Sequence, residues 1–201
     1  MRAGAGIGHL EYLWLGFVVY WVLAARGAAK PKQQEGVGAA LAGTAWFAIG
    51  ALLLLASGLS LGPLDDRFLA RDDAVEAVGW TLTAGGLILA VWSRRVLGRN
   101  WSGRNELNAD HQLVRSGPYA VVRHPIYSGL IVALAGTALY LGEWRGLIAL
   151  AVFGVGFSLR AVREETLLEA EFGAGYREYR DQTGMLTPRI RGRLTRTHET
   201  R

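Results

Sequence analysis

One apolar run constrains the fold of this chain more than any other feature of its sequence. Residues 37–61 hold no charged side chain over about 25 positions. A helix needs roughly 20 predominantly apolar residues to cross the hydrocarbon core of a bilayer, and a run of this length can cross with some tilt. The sequence therefore predicts an integral membrane protein.

Four more apolar runs flank a polar, arginine-rich stretch at residues 93–124. They cover residues 7–25 and 74–92 before this stretch, and residues 126–142 and 146–159 after it. The first run is predicted to be a retained span and not a signal peptide, because Glu11 lies where a signal peptide has its apolar core. The last two runs are short, and they predict a tight helical hairpin around residues 143–145.

Together these runs predict an all-α, polytopic membrane protein with about five transmembrane helices in a single domain. Three N-terminal spans are expected in residues 1–93, a polar loop, the hairpin and C-terminal helices in residues 94–188, and a basic tail in residues 189–201. In residues 161–182, apolar residues recur at helical spacing among arginines and glutamates, which predicts a cytoplasmic, amphipathic helical segment. A break in this segment is expected at Gly173 or Gly175.

Arginines in the loops predict the orientation of the chain. The third loop and the tail are both strongly basic, through Arg94, Arg95, Arg99, Arg104, Arg115 and Arg123 and then Arg189, Arg191, Arg193, Arg196 and Arg201. Basic loops stay in the cytoplasm, so the N-terminus is predicted outside and the C-terminus inside. Only two residues are lysines, and Gly and Ala are abundant. This composition indicates a bacterial chain, and hence the bacterial cytoplasmic membrane.

The composition also limits the chemistry and the partners. The chain has no cysteine, which excludes disulfides, cysteine-ligated zinc and thiol catalysis, and no metal site is predicted. The net charge of +5 lies in loops and the tail, so membrane lipids with anionic headgroups or an anionic substrate are the expected partners. Neither nucleic acid nor an obligate protein partner is expected.

Three groups of polar residues border the predicted spans, at residues 111–119, 123–127 and 160–165. Pro125 suits the first turn of a helix, because the N–H that it lacks would have no partner there, and the free N–H groups of such a turn can bind an anion. Arg160 and Glu164 are four residues apart and share one helix face. Taken singly, such features more often mark helix capping and interfacial anchoring than a functional site.

The order and spacing of these groups form a compound pattern. It consists of His111-x-Leu-Val, Ser-Gly-Pro-Tyr119, Arg123-His-Pro-x-Tyr127-x-Gly129, Arg160-x-x-x-Glu164-Glu165, Phe172-Gly173-x-x-Tyr176-x-x-Tyr179 and Thr187-Pro188. This pattern resembles the isoprenylcysteine carboxyl methyltransferases and the related phospholipid methyltransferases. The resemblance covers about residues 105–188, somewhat under half of the chain.

The resemblance implies a membrane methyltransferase that uses S-adenosyl-L-methionine as its cofactor. The residues implied to bind this cofactor are His111, Gln112, Leu113, Val114, Tyr119, His124, Pro125, Ile126, Tyr127 and Glu165. The residues implied to be catalytic, near the reacting group of the substrate, are Arg160 and Glu164. Where the eukaryotic enzymes have a cofactor-binding Gln, this chain has Arg104, a departure from the family.

The acceptor of the methyl group is left open between three classes. A carboxylate, as in isoprenylcysteine, is favoured; it is already ionised and needs only orientation, which Arg160 could supply with a bidentate hydrogen bond. A phospholipid amine is protonated at neutral pH and needs a base, for which Glu164 is the candidate. A small hydrophobic thiol, acid or isoprenoid is the third class. In each case a lipophilic or lipidated acceptor would be methylated at the cytoplasmic face.

Two hypotheses of other classes compete with a methyltransferase. Sterol reductases share the fold of this family and bind NADPH in a similar place, but they are generally longer than this chain. A non-catalytic membrane scaffold would use the polar groups as interfacial anchors. It would therefore tolerate substitution of His124 and Glu164.

Overall fold

The structure is a computed structural model that describes residues 10–25, 61–101 and 112–189. Its helices are α1 (Leu10–Ala25), α2 (Asp73–Leu97), α3 (Pro125–Leu141), α4 (Trp144–Phe172) and α5 (Ala174–Gln182). The described ranges contain no strand, so the all-α prediction is confirmed for them. The apolar run at residues 37–61 lies outside the described residues except for Leu61.

Two of these helices are long and apolar enough to cross a bilayer. They are α2, with 25 residues, and α4, with 29 residues; α1 and α3 are apolar but shorter. The predicted total of five spans therefore stays a prediction.

The predicted hairpin is formed by α3 and α4. α3 ends at Gly142, whose φ of 62° is left-handed, and α4 starts two residues later. α4 does not end near residue 159 but continues as one helix to Phe172, so the last apolar run and most of the amphipathic segment are continuous. Of the two glycines expected to break that segment, Gly173 does so, with a φ of 51° that glycine adopts readily.

Glycines let α2 and α3 pack with their backbones in contact. A Cβ atom at Gly86 would lie 2.4 Å from the carbonyl oxygen of Gly129, and one at Gly136 would lie 2.5 Å from that of Gly79. Larger residues at these positions would push the helices apart. Because Gly86 faces Gly129 while Gly79 faces Gly136, the two helices run antiparallel. Such close approach through small residues is typical of helix pairs in membranes.

A hydrogen-bonded group of side chains ties α1 to this pair. Thr83 Oγ1 lies 3.3 Å from Thr137 Oγ1, and Trp14 Nε1 donates to Thr137 Oγ1 at 3.1 Å. Thr83 and Thr137 are fully buried. Their hydroxyls thus meet polar partners inside an apolar helix bundle, where an unpaired hydroxyl would be costly.

The antiparallel helices give the described residues two ends. The C-terminus of α2, residues 112–124, the C-terminal part of α4 and α5 lie together at what we call the site end. The opposite, turn end contains the hairpin turn and residues 61–72, where Phe68 N–H donates to Gly142 O at 3.0 Å. The described residues of the third loop and the segment after α4 thus share one end. The compartment that this end faces stays a prediction.

Candidate active site

Two segments that are far apart in sequence build the N-terminus of α3. The backbone N–H groups of Arg123 and His124 donate to Gly184 O at 2.8 Å and to Met185 O at 3.1 Å. Residues 183–188, which we call the strap, thus lie across the residues that begin α3. Pro125 occupies the first turn of the helix, as predicted.

Glu164 of α4 lies at the centre of a group of donors. Its carboxylate accepts a short hydrogen bond from Tyr127 OH through Oε1. His124 Nδ1 lies 3.3 Å from Oε2, and Arg160 Nε lies 3.4 Å from Oε1. The expected pairing of Arg160 and Glu164 along one helix face is therefore present, but Glu164 also joins α4 to the start of α3.

Glu165 holds the second carboxylate of the site, on the neighbouring position of α4. Its Oε1 atom lies 2.7 Å from Arg123 Nε and 3.4 Å from His124 Nε2. The side chains of Arg123 and Glu165 are only 9% and 15% exposed, so this ion pair is largely screened from water. A paired and hydrogen-bonded charge is the form in which charges are tolerated inside proteins.

His124 lies between the two carboxylates, and its side chain is 5% exposed. Burial by itself lowers the pKa of His124, but the nearby carboxylates of Glu164 and Glu165 outweigh burial and raise it above the ordinary value. With His124 protonated, the three cations Arg123, His124 and Arg160 face two carboxylates. One positive charge is then in excess.

One atom of His124 is left without a hydrogen bond of good geometry. Among the described residues, its buried Nε2 has no aligned acceptor, although Glu165 Oε1 is 3.4 Å away. Buried polar atoms are nearly always paired, so such an exception calls for an explanation. A bound polar molecule that brings an acceptor would provide one.

Aromatic rings continue from the site into the apolar core. The rings of His124 and Tyr127 are stacked at 5.6 Å between centroids, and those of Tyr127 and Phe157 at 5.2 Å. Phe153 extends the series at 5.9 Å from Phe157. Phe153 and Phe157 pack in the same core as Leu10 of α1. The position of Tyr127 is therefore fixed by packing as well as by its bond to Glu164.

Tyr119 lies in a short 3₁₀ turn, Gly117–Ala120, beside the ion pairs. Its carbonyl oxygen accepts a hydrogen bond from Tyr179 OH at 2.6 Å. Burial and the nearby Glu164 carboxylate raise the pKa of the Tyr119 phenol. Burial raises the pKa of Tyr179 to about 12, although Arg123 and Arg115 oppose this shift. Both phenols are therefore neutral around pH 7.

The structure brings together five of the residues predicted from the sequence: His124, Tyr127, Arg160, Glu164 and Glu165. Tyr119 is adjacent, while Pro125 and Ile126 are buried at the start of α3. Gln112 is exposed and Leu113 and Val114 are half-buried. His111 and Arg104 lie outside the described residues. Which of these residues bind the cofactor stays a prediction.

Arg123 was not among the predicted site residues, although it belongs to the Arg-His-Pro motif. Its Nη1 atom donates to Arg180 O at 3.0 Å and to Thr183 O, while Nε bonds to Glu165. The available signal was its position beside His124 in an otherwise apolar stretch. Its partners lie 42 to 60 residues away in sequence, so no local pattern identifies them.

The residues at the site end suit a polar, zwitterionic cofactor such as S-adenosyl-L-methionine. The excess positive charge and the unmatched Nε2 of His124 fit a carboxylate, and the two glutamates fit a cationic group. The aromatic rings beside them fit a flat, apolar portion. Within the described residues, no three His, Cys, Asp or Glu side chains converge as ligands for a metal ion.

Several curated proteins are similar to part of this chain. The protein-S-isoprenylcysteine O-methyltransferase of Schizosaccharomyces pombe is 38% identical over 84 residues, which is 41% of this chain and 36% of that protein. Protein-S-isoprenylcysteine O-methyltransferase B of Arabidopsis thaliana is 34% identical over 104 residues, 50% of this chain and 53% of that protein. Methanethiol S-methyltransferase 2 of Bradyrhizobium diazoefficiens is 37% identical over 73 residues, 36% of this chain and 27% of that protein. The matched part spans about half or less of each relative.

A solved structure has a similar fold. It is the eukaryotic intramembrane Ras methyltransferase, an isoprenylcysteine carboxyl methyltransferase, with a TM-score of 0.50 and 24% identity. The similarity covers 77% of this chain and 52% of that protein. At this identity it shows a shared fold and nothing further about chemistry.

A family model matches the segment that carries the site. The model is described as phospholipid methyltransferase and matches residues 75–175, which is half of the chain and extends from α2 to the start of α5. The resemblance predicted from the sequence is thereby confirmed. The chain belongs to the phospholipid methyltransferase family.

Proposed function

We propose that this chain transfers a methyl group from S-adenosyl-L-methionine to a carboxylate on a lipid-like acceptor. The observation that carries this proposal is the environment of Glu164. Its carboxylate is held by His124, Tyr127 and Arg160. A carboxylate that receives several hydrogen bonds is stabilised as an anion and is a weak base. The site therefore suits an acceptor that needs no proton removed.

When bound, S-adenosyl-L-methionine supplies an electrophilic methyl group on a sulfonium. The residues that would hold it are His124, Glu165, Tyr119 and Tyr127, together with the segment at residues 111–114. Methyl transfer is an in-line displacement, so positioning and the exclusion of water supply most of the acceleration. The buried ion pairs and stacked rings give these residues fixed positions before a ligand binds.

Arg160 is the residue that would orient the acceptor. It lies one helical turn before Glu164 on α4, with its side chain 26% exposed. A guanidinium group can bind a carboxylate with two parallel hydrogen bonds. Arg160 and Glu164 therefore act as an orienting pair and not as an acid and a base.

A phospholipid amine is the second candidate acceptor, because the matching family is described as phospholipid methyltransferase. An ammonium group must lose a proton before it can attack, and Glu164 is the nearest carboxylate to Arg160. The three donors around Glu164 stabilise its anionic form and so make it a weaker base. The two candidates thus differ in whether Glu164 accepts a proton.

The arginines at the site end support a proposal for the compartment in which the reaction takes place. Arg94, Arg95, Arg115 and Arg123 all belong to this end, and basic segments stay in the cytoplasm. We therefore assign the site end to the cytoplasmic face of a membrane. A polar cofactor reaches it from water, and a lipid-like acceptor reaches it from the bilayer.

Calorimetric titration with S-adenosylhomocysteine in detergent tests the cofactor. We expect the wild type to bind, and His124→Ala and Glu165→Ala each to weaken binding by about tenfold or more. Arg163→Ala, an exposed position on the same helix, is the control and should bind as the wild type does. A folded wild type that does not bind would contradict the proposal, and NADPH would then distinguish a reductase from a scaffold.

Labelled S-adenosyl-L-methionine then distinguishes the acceptors. Transfer to a prenylated cysteine carboxylate, and not to a phosphatidylethanolamine vesicle or a short alkyl thiol, is the expected result. Transfer to the amine that disappears in Glu164→Gln would favour the second candidate. Transfer to the thiol alone would contradict both.

A further inference from the structure

The strap is fastened to the site through its own backbone carbonyl groups. Its carbonyl groups accept hydrogen bonds from the amides of Arg123 and His124, and Leu186 O accepts one from Ser128 Oγ at 2.6 Å. These bonds connect the segment after α5 directly to the first turn of α3. The strap and the residues that begin α3 therefore move together or separate together.

The side chain of Arg123 connects this strap to the carboxylate pair. Nε donates to Glu165 Oε1 at 2.7 Å, while Nη1 donates to Arg180 O at 3.0 Å and to Thr183 O. A guanidinium group is planar and rigid, so it holds these partners in one fixed relation. Glu165 Oε1 in turn lies 3.4 Å from His124 Nε2. A continuous series of contacts thus runs from the end of α5 to the histidine.

We propose that Arg123 is a positioning residue that couples docking of the strap to the placement of Glu165 and His124. The step from Glu165 to the cofactor rests on the proposed function; the coupling itself does not. With the strap in place, the guanidinium holds Glu165 toward His124. Without the Arg123 guanidinium, Arg180 O, Thr183 O and Glu165 lose their common donor, and Glu165 is no longer held toward His124.

A second arginine that binds α5 provides a matched control. Arg115 Nη2 donates to Gly175 O, and Nη1 lies 3.7 Å from Glu178. Its side chain is 39% exposed, against 9% for Arg123. Arg115 therefore shares with Arg123 the contact to a carbonyl of α5, but its acidic partner, Glu178, belongs to α5 itself. Loss of Arg115 tests the effect of loosening α5 alone.

The test combines hydrogen exchange with S-adenosylhomocysteine binding in Arg123→Gln, Glu165→Gln, the double variant and Arg115→Gln. We expect Arg123→Gln and Glu165→Gln each to weaken binding by roughly tenfold or more, and the double variant to be no weaker than the worse single variant, because coupled residues are not additive. Both single variants should also speed exchange of the amides of residues 123 and 124. Arg115→Gln should change neither quantity by more than about twofold.

Arg123→Lys keeps the proposal testable if Arg123→Gln does not fold. Lysine keeps the charge but has no rigid fork, so we expect faster exchange of the same amides and weaker binding. Wild-type behaviour of Arg123→Lys, fully additive effects in the double variant, or unchanged exchange in Glu165→Gln would each overturn the coupling. If the wild type fails to bind S-adenosylhomocysteine while exchange still shows the coupling, the proposed function fails and this inference stands.

Discussion

The hairpin of α3 and α4 carries buried charges at both of its ends, and the two sets differ in kind. At the turn end, Arg145 Nε lies 2.6 Å from Glu143 Oε2 and 3.9 Å from Asp65 Oδ1. Arg67 Nη1 donates to Leu141 O at 2.6 Å. Arg145 thus faces two carboxylates while Arg67 binds a backbone carbonyl, and the shortest ion pair joins residues two positions apart.

At the site end the cations outnumber the carboxylates, and the shortest ion pair is long-range. One positive charge is in excess when His124 is protonated, and the ion pair of Arg123 with Glu165 joins residues 42 positions apart. Aromatic rings pack against the group. The comparison teaches that a buried ion pair alone does not mark a functional site. An excess of cations over carboxylates and an unmatched donor, both found at the site end, are better indicators.

The largest expected effect is a loss of activity on substitution at the site end but not at the turn end. Glu164→Gln removes a carboxylate that holds His124, Tyr127 and Arg160, and we expect kcat/KM to fall by about 100-fold or more, because the reacting groups lose their alignment. Glu143→Gln is the matched change at the turn end. It should lower stability by about 1–3 kcal/mol without a comparable loss of transfer. Labelled-methyl transfer per folded molecule is the measurement, and equal losses in both variants would remove the distinction.

A substitution where α2 packs against α3, midway between the two ends, should destabilise the whole fold and not one end alone. Gly86→Ala places a methyl group 2.4 Å from Gly129 O, so we expect a loss of about 1–3 kcal/mol in stability as α2 and α3 separate. Gly85→Ala is an adjacent control, since a Cβ atom there meets nothing within 4 Å. Thermal unfolding in detergent should show destabilisation in the first variant only. A tolerated Gly86→Ala would mean that the close approach is not needed.

Protonation of His124 at the site end should make the stability of the protein depend on pH over a defined range. Because the folded state raises the pKa of His124, the protonated ring stabilises the fold. This contribution to stability is complete below about pH 6.5 and disappears as the pH rises through the raised pKa of His124. Each tenfold gain in the proton affinity of His124 on folding stabilises the protein by about 1.4 kcal/mol. His124→Gln should flatten that part of the stability profile. Chemical unfolding measured at several pH values checks this, and an unchanged profile would contradict it.

The smallest expected effect comes from a substitution in the core, away from both ends. Trp14→Phe removes the donor to Thr137 Oγ1, which should lower stability by about 1 kcal/mol. S-adenosylhomocysteine affinity should be unchanged, because Trp14 belongs to the core packing and not to the charged groups. A clear loss of affinity would mean that α1 controls the site end directly.

Local patterns predicted much of this architecture. The hairpin, the break at Gly173 and the contact of Arg160 with Glu164 all depend on residues a few positions apart, where helical periodicity decides the structure. The compound motif also identified His124, Tyr127 and Glu165, which do lie together. The sequence predicted a short span at residues 146–159 followed by an amphipathic segment at residues 161–182, and the structure joins them in one helix as far as Phe172. The cause is that the change from apolar to amphipathic sequence at residue 160 does not interrupt a helix.

Long-range pairings could not be predicted from one sequence. Nothing in the spacing of Gly79, Gly86, Gly129 and Gly136 says that they face each other, because many glycines occur in these runs. The partners of Arg123 likewise come from α4 and α5. Both features depend on how the helices assemble. The assembly decides which residues meet across more than 40 positions of sequence.

Because α4 is continuous, its length relates the depth of the site in a membrane to the position of the turn end. At about 1.5 Å per residue, Glu164 lies roughly 30 Å along the helix from Trp144, which equals the thickness of the hydrocarbon core. Trp144 is 48% exposed at the turn end, as suits a ring at the headgroup level. With Trp144 at one boundary of a bilayer, the carboxylate pair lies at the other, where water-soluble and membrane-dissolved reactants meet. An inserted residue in α4 would both shift this depth and rotate the carboxylates by about 100°.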